Sequence, residues 1–154
     1  MSIVFNKGVL VLETLQKFLM NITKANNFNI EIKDVILYDV MRYEKLANAN
    51  IPAIFMSAEE TIERETNEEF VSDMTVQMFV MYQPEDQANG VITDFSKLIT
   101  AIGTQIDASS CLGLSFIEEI NISAIQHPLY LDTRQAFSFL LTVTIRYFYD
   151  ANDP

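Results

Sequence analysis

Alternation of apolar and polar residues runs longest from Phe137 to Tyr149, where Phe137, Phe139, Leu141, Val143, Ile145, Tyr147 and Tyr149 occupy every odd position. A period of two over that length predicts one long β-strand with an apolar face, reaching roughly 40 Å at about 3.4 Å per residue. That is about twice the usual strand. A second run, Phe70 to Tyr82, carries Met74, Val76, Met78, Val80 and Tyr82 at even positions with Asp73, Thr75 and Gln77 between them. The two are predicted to be neighbours in one antiparallel sheet. On the other side of the final strand stand Leu140, Arg146 and Phe148, so apolar matter lies on both faces near its end. A partner subunit is expected to pack there, with an edge strand or a local bend as the alternative.

A period of three to four appears twice. Val9, Leu12, Leu15, Leu19 and Ile22 predict a helix from Asn6 to Ala25 with one buried stripe, stopped by Asn26-Asn27, because Asn tolerates the left-handed conformation that ends helices. Val91, Phe95, Leu98, Ile99, Ile102 and Ile106 predict a second amphipathic helix, capped by Asn89 or Thr93. Between them, Phe28, Ile30 and Ile32 alternate with polar residues and suggest a first strand. Val35 to Asn50 reads as connection plus a short helical turn. Ile51 to Met56 is a short apolar run whose Pro52 belongs at a strand's beginning or edge.

Ser57 to Glu60 matches a capping box, which would start a helix, whereas Thr61-Ile62-Glu63 and the turn-like Thr66-Asn67 suit a hairpin arm leading into Phe70. The hairpin is the preferred reading. Farther on, Ser109 to Gly113 breaks the helix, and Ser115 to Ile125 returns to strand with Phe116, Glu118, Ile120 and Ile122 on one side. Gln126 to Arg134 reads as a loop. This order predicts an α+β fold: a mainly antiparallel β-sheet, two amphipathic helices packed on one face and a long hairpin arm, in a single domain over residues 1–154.

The net charge of −11 is unevenly spread. Residues 1–45 hold six Lys/Arg against five Asp/Glu; residues 46–154 hold four against sixteen. One segment gathers Glu59, Glu60, Glu63, Glu65, Glu68, Glu69 and Asp73 around a single base, Arg64. Such a surface repels phosphate, which argues against a nucleic-acid reader. No apolar run approaches the eighteen or so residues that span a bilayer, so no membrane role is expected. The start lacks a basic region followed by a long apolar stretch, so a protein made and kept in a cytoplasm is expected. A lone Cys111 agrees with a reducing compartment.

Candidate chemistry is sparse. His127 is the only histidine, so any Cys-His pair or Ser-His-acid triad would need it; in its Gln-His-Pro-Leu loop it reads as a surface hydrogen-bonding residue. Cys111 reads as a small, half-buried residue. Zinc sites want clustered Cys and His, and no Asp-X-Asp-X-Asp-Gly loop is present, so the acidic segment reads as a solvated face rather than a metal site. Gly8, Gly90, Gly103 and Gly113 are too far apart for a phosphate-cradling loop. Glu118 and Glu119, adjacent on a predicted strand, are expected to face opposite ways, which spoils paired acid–base work. No enzyme, no cofactor and no metal are expected.

The element order and two stretches, Ile51 to Glu60 (IPAIFMSAEE) and the closing strand with its Thr142 to Tyr147 segment (TVTIRY), resemble the bacteriophage tail terminator, or tail completion, family. The order covers nearly the whole chain, and related neck proteins share much of it. The resemblance implies a structural virion protein at the head-tail interface. Such a protein forms a homo-oligomeric ring, usually a hexamer, on the last tail-tube ring, stops tube polymerisation and presents a surface to the head-side connector protein. On that reading DNA only passes through, and the acidic arm, facing the lumen or a partner, keeps it from adhering. Leu140, Arg146 and Phe148 would then meet the neighbouring subunit. An acidic DNA mimic that inhibits a nucleic-acid enzyme is the alternative from another class; it would need acids spread along a face, not gathered in one arm.

Overall fold

The two long alternating runs fold side by side. In the computed structural model, which describes residues 6–37, 48–66, 68–84, 89–108, 110–132 and 134–150, they are β3 (Glu69–Tyr82) and β6 (Ala136–Asp150). They pair antiparallel from Glu69 opposite Asp150 to Tyr82 opposite Phe137. Their even and odd positions, respectively, are buried on one face: Met74, Val76, Met78 and Val80 beside Leu141, Val143, Ile145 and Tyr147. Period two alone made this pairing legible.

Four shorter strands complete a six-stranded mixed sheet: β1 (Asp34–Leu37), β2 (Ala53–Arg64), β4 (Ile117–Ile125) and β5 (Leu129–Leu131). The order is β1-β2-β3-β6-β4, with β5 also on β6. β1 runs parallel to β2, and every other pair is antiparallel. β4 pairs with β6 from Ile117 opposite Tyr147 to Ile125 opposite Leu141, and β5 takes the same edge at Ala136 to Ser138. The great length of β6 is thus used inside the domain, by one long partner on one edge and two short ones in line on the other.

Among the described residues two long helices, α1 (Asn6–Met20) and α2 (Gly90–Ala108), accompany the sheet, giving an α+β class with a sheet-dominated core. Val11, Leu15, Leu19 and Ile22 join Leu98, Ile102 and Ile106 and the apolar sheet face in one buried cluster. Gln105 donates from Nε2 to the Phe18 carbonyl (2.6 Å) and Gln16 to the Val35 carbonyl (2.7 Å), tying α1 to α2 and to β1. A smaller cluster of Ala49, Ala53, Phe55, Met81 and Ala136 lies apart from the first.

Several sequence expectations need correction. α1 stops at Met20 rather than Ala25; a 3-10 turn at Lys24–Asn26 follows, and Asn27 adopts the left-handed conformation (φ 69°). Val9 is exposed and Val11 takes its place, because the buried stripe runs at spacings of four through Leu15 and Leu19. Phe28 to Ile32 is not a strand. Its apolar residues pack on the core from a connecting segment in which Ile32 N–H donates to the Ile22 carbonyl. The first strand is β1, inside the stretch read as connection, and residues 38–47 of that stretch lie outside those described. The 126–134 stretch contains β5. In β4 a register shift between Ile117 and Glu119 resets the alternation, so Ile117 is buried and Glu118 is not.

Candidate interaction face

The acidic segment occupies the end of the β2–β3 pair. The ladder runs from Ala53 opposite Met81 to Arg64 opposite Phe70. Thr66 sets the turn: its Oγ1 accepts from the N–H groups of Glu68 (3.3 Å) and Glu69 (3.0 Å), and the Glu69 carbonyl accepts from those of Glu65 and Thr66. Alternation places Ile54, Met56 and Met74 toward the helices, hence Glu59, Glu63, Glu69 and Asp73 on the opposite, outer face. Glu65 and Glu68 lie at the turn, and all six are exposed.

Glu60 departs from this group. It is half-buried on the helix side and accepts a short hydrogen bond from the Tyr147 hydroxyl. Burial first, then the Glu60 bond, pushes the Tyr147 phenol far above its ordinary value of 10, so it stays a proton donor. Beside it, Phe70 stacks on Tyr149 with centroids 5.3 Å apart and planes 8° from parallel, and the Arg64 guanidinium lies 5.4 Å from the Phe70 ring centre.

The outer face also brings together residues distant in sequence. Arg146 Nε lies 3.3 Å from Glu118 and 3.8 Å from Asp73. Glu119 stands opposite Arg146 in the ladder and accepts from Asn121 Nδ2 (2.6 Å). A shallow hollow of about 210 Å³ opens there, lined by Asp73, Thr75, Glu119, Asn121, Thr144 and Arg146 among others. Glu118 and Glu119 therefore do not face opposite ways: the register shift between Ile117 and Glu119 brings both to Arg146. The ion-pair partners are about half exposed, and pairs of that kind contribute about 0–1 kcal/mol each. This is a soft, acidic, largely solvated surface with one cation at its centre.

Leu140, Arg146 and Phe148 share a strand face, and each is half-buried within the chain. Leu140 stands opposite Phe79 and Phe148 opposite Val71. At about 3.4 Å per residue Leu140 lies roughly 20 Å or more from the other two, so the three are not one patch. His127 is exposed, with its ring centroid 6.3 Å from that of Phe95. Cys111 sits in a 3-10 turn (Ser110–Gly113) with φ 50°, its sulfur 3.8 Å from the Glu118 carbonyl. Among the described residues no three His, Cys, Asp or Glu side chains are grouped to hold a metal ion, and no helix is long and apolar enough to cross a membrane.

Sequence reasoning missed the Glu60–Tyr147 bond and the meeting of Glu118 with Arg146. The first needed the register of β3 on β6 and of β2 on β3, and the second needed the bulge, which no alternation pattern signals. Compared with known proteins, the chain matches no family model, and no curated protein matches it.

Proposed function

We propose that this chain is a structural assembly protein of a phage tail: a terminator that forms a ring, usually of six, on the last tail-tube ring, stops polymerisation and joins the tail to the head-side connector. It works in the virion at the head-tail interface, uses no cofactor and catalyses no reaction. The observation that carries this reading is the wide sheet whose outer face gathers Glu59, Glu63, Glu69, Asp73, Glu118 and Glu119 at one end. A surface of that sign lets DNA pass without adhering.

The reading includes a finer layout within the α+β class: both helices on one sheet face, and the β2–β3 end as an arm. The single cluster that unites the helix stripes with the apolar face of β3 and β6 supports the first, and the exposure of the described residues from Thr61 to Glu69 supports the second. An unequal pair of surfaces, acidic sheet on one side and helices on the other, suits head-to-tail contacts, which close into a ring when the rotation per subunit fits.

Two measurements test it. Native mass spectrometry of the purified chain, alone and with short tail tubes, is expected to give a ring of about six. Added protein is expected to blunt tube growth in a polymerisation assay. A chain that neither assembles on tubes nor alters their length refutes the reading; a ring that binds the connector and leaves tube growth untouched makes it another neck component.

A further inference from the structure

Between Thr93 and Thr104 the groove-lining side of α2 carries one charged residue, Lys97, with the exposed Asp107 about one turn beyond. Thr93, Ser96, Lys97, Thr100 and Thr104 follow one another at helical spacing there, and Ile92 is 60% exposed. Opposite them run Asn27, in its left-handed conformation, Phe28 and Asn29. Between the two lies an open groove of about 610 Å³, within the size range of ligand clefts. Its walls offer hydroxyl and amide donors, and the one charged liner among the described residues is the ammonium of Lys97. No carboxylate of the described residues lines it, although acids outnumber bases two to one in the chain.

We infer that this groove receives the Glu65–Glu69 turn of a second copy of the chain, an inference that rests on the ring reading above and names the surfaces that meet. The charges are complementary. The turn presents Glu65, Glu68 and Glu69, all exposed, and carboxylates only accept hydrogen bonds, while the groove is rich in donors. Thr66 Oγ1 already accepts from the N–H groups of Glu68 and Glu69, which holds the backbone of these two acidic residues against Thr66 before docking. Turn and groove share no residue and sit on different parts of the fold, the turn at the end of the sheet and the groove on the helices. A single contact between them leaves a free turn on one copy and a free groove on the other, so it propagates head-to-tail into a ring or a filament unless two copies exchange turns reciprocally.

The test uses the full chain and charge reversal at exposed positions. Lys97→Glu alone, and Glu65→Lys with Glu68→Lys, are each expected to weaken self-association about tenfold or more in analytical ultracentrifugation, by opposing like charges. Mixing the two variants is expected to restore association, because both contacts between unlike copies are matched: the unchanged acidic turn against Lys97, and the reversed turn against the reversed groove. In a Cys111→Ala background, Glu68→Cys with Thr100→Cys is expected to give an intermolecular disulfide ladder, and circular dichroism checks that each variant keeps its fold. Rings that form normally with either reversal, and no disulfide ladder, overturn the inference and leave the ring reading standing. A chain that stays monomeric at millimolar concentration and on tubes overturns both.

Discussion

Replacing Tyr82 with phenylalanine removes a single hydroxyl, and the surroundings of that hydroxyl make the effect on stability change sign with pH. Tyr82 is fully buried, and its hydroxyl donates to the Val91 carbonyl (2.7 Å) in the first turn of α2. Near neutral pH the variant loses that bond and about 1 kcal/mol. Burial, and then the charge of Asp94, hold the phenol at about 12 against an ordinary value of 10. A neutral acid whose folded value is raised holds its proton more tightly when folded, so its contribution is intact below pH 10 and is lost as pH climbs toward 12. The full loss is about 3 kcal/mol, and about half of it is gone by pH 11. The phenylalanine variant carries no such liability. Urea unfolding followed by circular dichroism is expected to find the variant less stable at about pH 7, equal a little below about pH 11 and more stable above it. All other groups are the same in both proteins and cancel in the difference. A stability difference that stays constant from about pH 7 to about pH 11 would refute the reasoning.

Leu141→Ala, at a fully buried position in the middle of β6, is expected to cost about 2–5 kcal/mol in the same assay. Gly113→Ala meets no atom within 4 Å but must hold φ at 71°, so a loss of about 1–2 kcal/mol is expected without any steric clash, readable as a lower melting temperature. Arg146→Ala is expected to change monomer stability by less than about 1 kcal/mol, because its partners are half exposed; a larger loss would mean that the Glu118 and Asp73 pairs are more than surface contacts.

Legibility followed periodicity. The faces of β3 and β6 and the buried stripe of α2 were readable because unbroken spacings of two or of three and four admit one burial pattern. The Phe28 to Ile32 alternation misled because apolar residues in a connecting segment can reach the core with no strand beside them. Asp34 to Leu37 escaped notice because four residues, paired in parallel with β2, carry too short a pattern to separate from a loop. At the candidate face, the clustering of Glu59 to Asp73 was visible in the sequence, as was the place of Arg146 on the side of the final strand away from its apolar face. Their contact was not, since it depends on the register that sets Asp73 opposite Arg146 and on the shift that brings Glu118 alongside.

β6 also governs how the molecule is born. Among the described residues it is the only link in the hydrogen-bonded sheet between β1-β2-β3 on one side and β4 and β5 on the other, and it is synthesised after all of them. Until β6 docks, the β1-β2-β3 ladder ends in β3 as an open edge, and β4 and β5 have no strand among the described residues to pair with. Such edges template aggregation. Sheet completion therefore waits on β6, and the interval before it docks is when this chain is most open to aggregation.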